Sequence, residues 1–104
     1  MGESNQPYTL GIWTVRPGKG AAFVKVWEEF AKWTAQNIAG SGTGYLLQDS
    51  ANPEKYISFG QWESGEAVSV WRERPEFKAF AAKACDLCSE FQPHSMMLVA
   101  SSEE

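Results

Sequence analysis

The sequence predicts an α+β chain of ferredoxin-like order, β-α-β-β-α-β, with a four-stranded antiparallel sheet and helices on one face. Three observations carry that expectation. Residues 8–16 and 56–62 are rich in β-branched and aromatic side chains and alternate as half-buried strands do. From Ala21, and again after Pro75, apolar residues recur at helical spacing. Between these segments stand Pro17-Gly18, the glycine-rich stretch 40–44 and Asn52-Pro53, all turn or termination signals.

The first strand places Leu10 and Ile12 on one face, Trp13 and Val15 on the other. Both faces are bulky, so each needs a cover. The first helix carries Phe23, Val26, Trp27, Phe30, Thr34 and Ile38 on one stripe, with Trp33 on its flank and Lys25, Glu28, Glu29, Lys32 and Gln36 opposite. Residues 40–44 end it, because glycine takes left-handed geometry without a Cβ clash. Strands follow at 45–49 and 56–62. In the latter Tyr56, Ser58, Gly60 and Trp62 share a face, and Ile57, Phe59 and Gln61 the other. Ser64 caps a short helix over 66–72, and Pro75 suits the first turn of the next. That helix is expected to carry Phe77, Phe80, Ala81, Ala84, Cys88 and Phe91 on one stripe and to stop at Pro93, leaving 94–100 as the last strand. The folded unit is then a single domain over 8–100, with 1–7 and 101–104 as solvated tails. A sheet this apolar with helices on only one side requires a second cover, and a homodimer is expected.

Composition removes several classes of function. The chain has 104 residues, 43% of them hydrophobic, and five tryptophans, which is a core-forming composition rather than a disordered one. A formal net charge of −4 argues against a surface that neutralises nucleic-acid phosphates. No apolar run approaches the roughly 18 residues of a membrane span. The polar start lacks the apolar core of a secretory signal, and two cysteines without one point to reduced thiols and a cytoplasmic protein. The glycines of 40–44 precede a strand, whereas phosphate loops precede a helix. No metal or cofactor is expected, because two cysteines and one histidine do not make a zinc set.

Taken together, Val15-Arg-Pro-Gly18, Gly42-Thr-Gly-Tyr-Leu-Leu47, Phe59-Gly-Gln-Trp-Glu-Ser64 continuing to Glu66-Ala67 and Trp71, and Pro75-Glu-Phe-Lys78 resemble the antibiotic biosynthesis monooxygenase family of small dimeric α+β barrels. The resemblance implies a pocket between sheet and helices in each subunit and a dimer built from two sheets face to face. It implies a cofactor-independent oxidation of an electron-rich aromatic, such as an anthrone or polyphenol, to a quinone by dioxygen. Trp62 matches the family's site tryptophan, whose indole N–H is suited to a substrate carbonyl. Ser58 stands where the quinone-forming enzymes carry asparagine, and Val68 where they carry tyrosine. Trp71 matches a tryptophan of the haem-degrading branch, but Gly11 and Ala81 occupy that branch's asparagine and histidine positions, and haem iron needs a strong axial donor.

Trp62 and Ser58 are therefore the candidate catalytic residues, and Trp71, Trp13, Tyr56 and Phe80 the candidate substrate-binding residues. Each also fits a packing role: a strand-end tryptophan is good core material, and Ser58 bonds locally as readily as it faces a ligand. His94 is the one imidazole, with no carboxylate nearby in sequence to orient it. The Cys85-Asp-Leu-Cys88 pair lies near an expected helix C-terminus, where the dipole disfavours thiolate, so it reads as packing. The rival to an oxygenase is a dimer of the same fold that binds small molecules without turnover.

Overall fold

The structure, a computed structural model, describes residues 6–103. Seven elements follow in order: β1 (Pro7–Val15), α1 (Gly20–Asn37), β2 (Ser41–Gln48), β3 (Lys55–Trp62), α2 (Gly65–Glu73), α3 (Pro75–Leu87) and β4 (Cys88–Met97). The strands form one antiparallel sheet in the order β2-β3-β1-β4, the ferredoxin-like arrangement expected. The expected tails 1–7 and 101–104 lie partly outside the described residues, at 1–5 and 104. Within them, Pro7 opens β1, and Gln6 Nε2–H donates to the Trp62 carbonyl.

Local chemistry explains the boundaries. Gly40, at φ +90°, turns the chain out of α1, but strand pairing resumes at once with Ser41 and is irregular as far as Gly44. Only the first residue of the glycine-rich stretch therefore serves as terminator. Between β2 and β3 the Asp49 carboxylate accepts from the Ala51 and Asn52 amides, and Asn52 Oδ1 from the Glu54 amide. These bonds fix the turn around Pro53. Ser64 Oγ accepts from the Ala67 amide at the start of α2. Arg74 is extended at φ −70°, ψ 140° and separates α2 from α3, as a residue preceding proline should.

The last helix and last strand differ from the sequence expectation. The helix ends at Leu87 rather than at Pro93, and β4 already contains Cys88, Phe91 and Pro93. The cause is a bulge. Trp13 pairs with Phe91 and Thr14 with Glu90, yet Val15 pairs with Cys88, so Ser89 is the extra residue. Cys88 and Phe91, three apart, thus both reach the helix-covered face, which imitates helical spacing in an extended segment. Pro93 is tolerated because β4 is an edge strand, bonded only to β1.

The helices cover one face. Phe23 is fully buried, and Trp13, Val15, Tyr56, Phe80, Ala84 and Cys88 complete the main core. A smaller cluster of Ile38, Trp62 and Val68 lies beside it. The other face carries Leu10, Ile12, Ile57 and Phe59 on the central strands, with Tyr45 and Leu47 beside them on β2. Tyr45 and Leu47 are 52% and 55% exposed, and among the described residues no helix lies over this face. Among the described residues no helix is long and apolar enough to cross a membrane.

Candidate active site

Between sheet and helices lies a cavity of about 460 Å³, within the size range of small-molecule sites. Its floor is the inward row of β1 and β3, its roof the apolar faces of α1, α2 and α3. Phe30 is the centre of the roof, stacked on Phe80 at 4.3 Å and 5° and in contact with Trp33, Trp71 and Phe77. Phe91 closes one side, stacked on Trp13 at 3.9 Å. Aromatic walls of this kind suit flat rings, through area burial and offset stacking.

The polar atoms of the floor are few and organised. Trp62 Nε1–H donates to Thr9 Oγ1, and Trp13 Nε1–H donates to Ser58 Oγ, both at 3.0 Å. Higher up, Trp71 Nε1–H donates to Thr34 Oγ1, again at 3.0 Å. Three indoles are thus satisfied by three hydroxyls, and all six residues line the cavity. The two floor bonds share one design. Thr9-Leu-Gly11-Ile-Trp13 on β1 and Ser58-Phe-Gly60-Gln-Trp62 on β3 have the same pattern, hydroxyl–x–Gly–x–Trp. In register Thr9 pairs with Gly60 and Gly11 with Ser58. A local two-fold between the strands therefore relates one pentapeptide to the other, and each tryptophan reaches the hydroxyl of the opposite strand. Gly11 is required by this crossing, since a Cβ there would stand 2.9 Å from Ser58 Oγ and 3.0 Å from Trp13 Nε1.

The candidates from sequence are mostly brought together. Trp62, Ser58, Trp71, Trp13 and Phe80 all line the cavity. Tyr56 does not: it packs against Phe23 in the main core, and its hydroxyl accepts from Gln48 Nε2. The Trp62 N–H, suited on sequence to a substrate carbonyl, is engaged by Thr9. Val68 is buried in the smaller cluster with Trp62 and Ile38. His94 pairs with Leu10 on β1 and borders the cavity, as does Arg72. Among the described residues, no three His, Cys, Asp or Glu side chains gather as metal ligands. Thr9, Thr34, Phe30, Phe77 and Phe91 also line the cavity, although none was a candidate from sequence. For Thr9 the signal was the pentapeptide pattern shared with 58–62.

The cysteine pair stands apart from the cavity. Cys85 is exposed and Cys88 buried. Burial, and then the neighbouring Cys85 thiol, push Cys88 up from 9.0 to about 11, against a smaller opposing pull from Arg16. A thiol so raised is protonated near neutrality and is a poor nucleophile.

Sequence and fold both relate the chain to known proteins. The family model for antibiotic biosynthesis monooxygenase matches residues 10–83. No curated protein matches by sequence. Among solved structures, the fold resembles SnoaB, a cofactor-independent oxygenase from Streptomyces nogalater, with a TM-score of 0.88 over 96% of this chain and 99% of that one, at 19% identity. It also resembles a conserved protein from Methanosarcina mazei Go1, with a TM-score of 0.82 at 15% identity over 90% and 93% of the two chains. A protein from Mycobacterium tuberculosis gives a TM-score of 0.81 at 13% identity over 94% and 99%. At these identities the likenesses speak for the fold, while the family match spans most of the sequence. The chain belongs to the antibiotic biosynthesis monooxygenase family.

Proposed function

We propose that this chain is a cofactor-independent monooxygenase that oxidises an electron-rich polycyclic phenol or anthrone to a quinone with dioxygen. The observation that carries the reading is the cavity itself: aromatic walls of about the right volume over a floor that carries two indole–hydroxyl pairs. Such a site binds flat rings by burial and offers hydrogen-bond donors to ring oxygens. That SnoaB is a cofactor-independent oxygenase supports the same chemistry.

The reaction needs little from the protein, because the substrate is the reductant. The methylene carbon of an anthrone loses a proton to give an enolate, whose oxygen accepts a hydrogen bond from the Ser58 hydroxyl. The enolate passes one electron to dioxygen, and the substrate radical and superoxide combine into a carbon-bound peroxide anion. That anion takes up a proton in place of the one lost at the start and becomes the hydroperoxide. Loss of water across that C–O–O–H unit leaves the second carbonyl. One oxygen atom enters the quinone and the other leaves as water, so four electrons from the substrate carbon balance one dioxygen. Ser58 holds the developing negative charge, Trp62 and Trp13 brace the floor, and Trp71, Phe30 and Phe80 hold the rings and exclude water.

A homodimer is part of this proposal. The uncovered sheet face with Leu10, Ile12, Ile57, Phe59, Tyr45 and Leu47 is an extended apolar surface, and a second copy is the cover the family's architecture supplies. A second reading, a binding dimer without turnover, is favoured by one observation: Val68, at the family's tyrosine position, is buried and has no hydroxyl to offer.

The test is product stoichiometry. Anthrone incubated with the protein in aerated buffer, without added cofactor, is expected to yield one anthraquinone per dioxygen consumed, with no peroxide released. Release of hydrogen peroxide in step with oxygen uptake would show electron leakage without insertion and would overturn the monooxygenase reading.

A further inference from the structure

We infer that the hydroxyls of Thr9 and Ser58 together form a two-point acceptor-binding site, in which Thr9 is a ligand-facing specificity residue and Trp62 and Trp13 are positioning residues behind the hydroxyls. The inference rests on the reading of the cavity as a polycyclic aromatic site. It adds that the ligand held best carries two ring oxygens, one at each hydroxyl.

Donor arithmetic leads to this assignment. An indole has one N–H and no acceptor, whereas a hydroxyl has one O–H and two lone pairs. The N–H groups of Trp62 and Trp13, both residues 4% exposed, are spent on Thr9 Oγ1 and Ser58 Oγ. Each bond occupies a lone pair and leaves the hydroxyl hydrogen over. Among the described residues neither hydroxyl donates to a protein acceptor, and both line the cavity. A bonded indole also polarises the hydroxyl it donates to, which strengthens that hydroxyl as a donor in turn.

Geometry then sets the ligand class. Thr9 and Ser58 occupy one diagonal of a square of four residues, and Gly11 and Gly60 the other. Diagonal neighbours in an antiparallel pair lie about 7–8 Å apart. The two donors are related by the same local two-fold that relates the two pentapeptides. A ligand with two equivalent oxygens on opposite sides of one ring, a quinone, has that symmetry too. In the proposed reaction one hydroxyl holds the carbonyl present at the start, and the other receives the oxygen added at the opposite carbon. The product therefore binds more tightly than the substrate.

The experiment measures binding, not turnover, by quenching of tryptophan fluorescence under argon. Three flat probes of similar shape are used: anthraquinone with two ring oxygens, anthrone with one, and anthracene with none. The expected order of affinity is anthraquinone, then anthrone, then anthracene. Thr9→Val and Ser58→Ala should each weaken anthraquinone by about fivefold to tenfold, the worth of one neutral hydrogen bond, and leave anthracene unchanged. Thr9→Ser should restore the affinity. Trp62→Phe should weaken anthraquinone, and combining it with Thr9→Val should add nothing. Undiminished anthraquinone binding in Thr9→Val, with loss confined to Trp62→Phe, would mean that the indole itself contacts the ligand, and the inference fails while the aromatic site stands. Equal affinity for all three probes overturns the inference in the same way, since ring oxygens would then contribute nothing. Binding of none of them removes the aromatic-site reading and this inference together.

Discussion

The Trp13 indole N–H reaches Ser58 Oγ at 3.0 Å across Gly11, the residue whose backbone pairs with Ser58 on the neighbouring strand. The bond exists only because that position has no side chain. It ties an aromatic wall of the cavity to a polar atom of its floor and so links core packing directly to the site.

Gly11→Ala tests that dependence. The added methyl would meet Ser58 Oγ at 2.9 Å and both Trp13 Nε1 and Phe91 Cε1 at 3.0 Å, and three ordered neighbours do not give way cheaply. A loss of about 1–3 kcal/mol is expected, typical of overpacking. Urea unfolding should show it as a lower midpoint with an unchanged slope.

The core makes a larger demand. Phe23 is completely buried and touches the rings of Trp13 at 5.1 Å and Tyr56 at 5.3 Å. Phe23→Ala is expected to cost about 3–5 kcal/mol. Thermal unfolding followed by near-UV circular dichroism should report a large fall in midpoint, because the tryptophan signal depends on this packing.

Cys88 sets a pH dependence with a definite sign. Its thiol is held neutral in the folded chain up to about 11, against an ordinary value of 9.0. Its contribution to stability is fully present below 9.0 and is lost as pH rises toward about 11, because the unfolded chain ionises first. The alkaline limb of wild-type stability should flatten in Cys88→Val over that window. At neutral pH a disulfide reagent should modify Cys85, which is exposed, well before Cys88.

The uncovered sheet face should respond to charge. Leu47 is 55% exposed and stands opposite Ile57 on β3. Leu47→Lys is expected to convert a dimer to a monomer in light scattering at micromolar concentration. A wild-type chain already monomeric under those conditions would refute the paired-sheet arrangement.

Much of this architecture was legible in the residues. The stripe of α1 from Phe23 to Thr34, the Ser64 cap and the turn at Asn52-Pro53 are local signals, and local chemistry decides them, whereas Ile38, expected on that stripe, lies just past the helix in extended conformation. The boundary between α3 and β4 was not legible, because the bulge at Ser89 gives Cys88 and Phe91 a helical spacing that only pairing with β1 explains. Tyr56 shares its strand face with Ser58 and Trp62, but which part of that face meets the cavity depends on where α1 crosses it. Thr9 was hidden for the opposite reason. Its pentapeptide repeats at 58–62 in plain view, but the two copies acquire meaning only through a register that brings Thr9 opposite Gly60.

Oxygen uptake with anthrone, in buffer without added metal or flavin, tests the proposed chemistry most directly. Uptake is expected well above the protein-free autoxidation rate, reduced on the order of a hundredfold in Ser58→Ala, as for loss of a donor to developing negative charge. Uptake no faster than the protein-free rate across a panel of anthrones and polyphenols would contradict it, leaving a binding protein with this fold and this cavity.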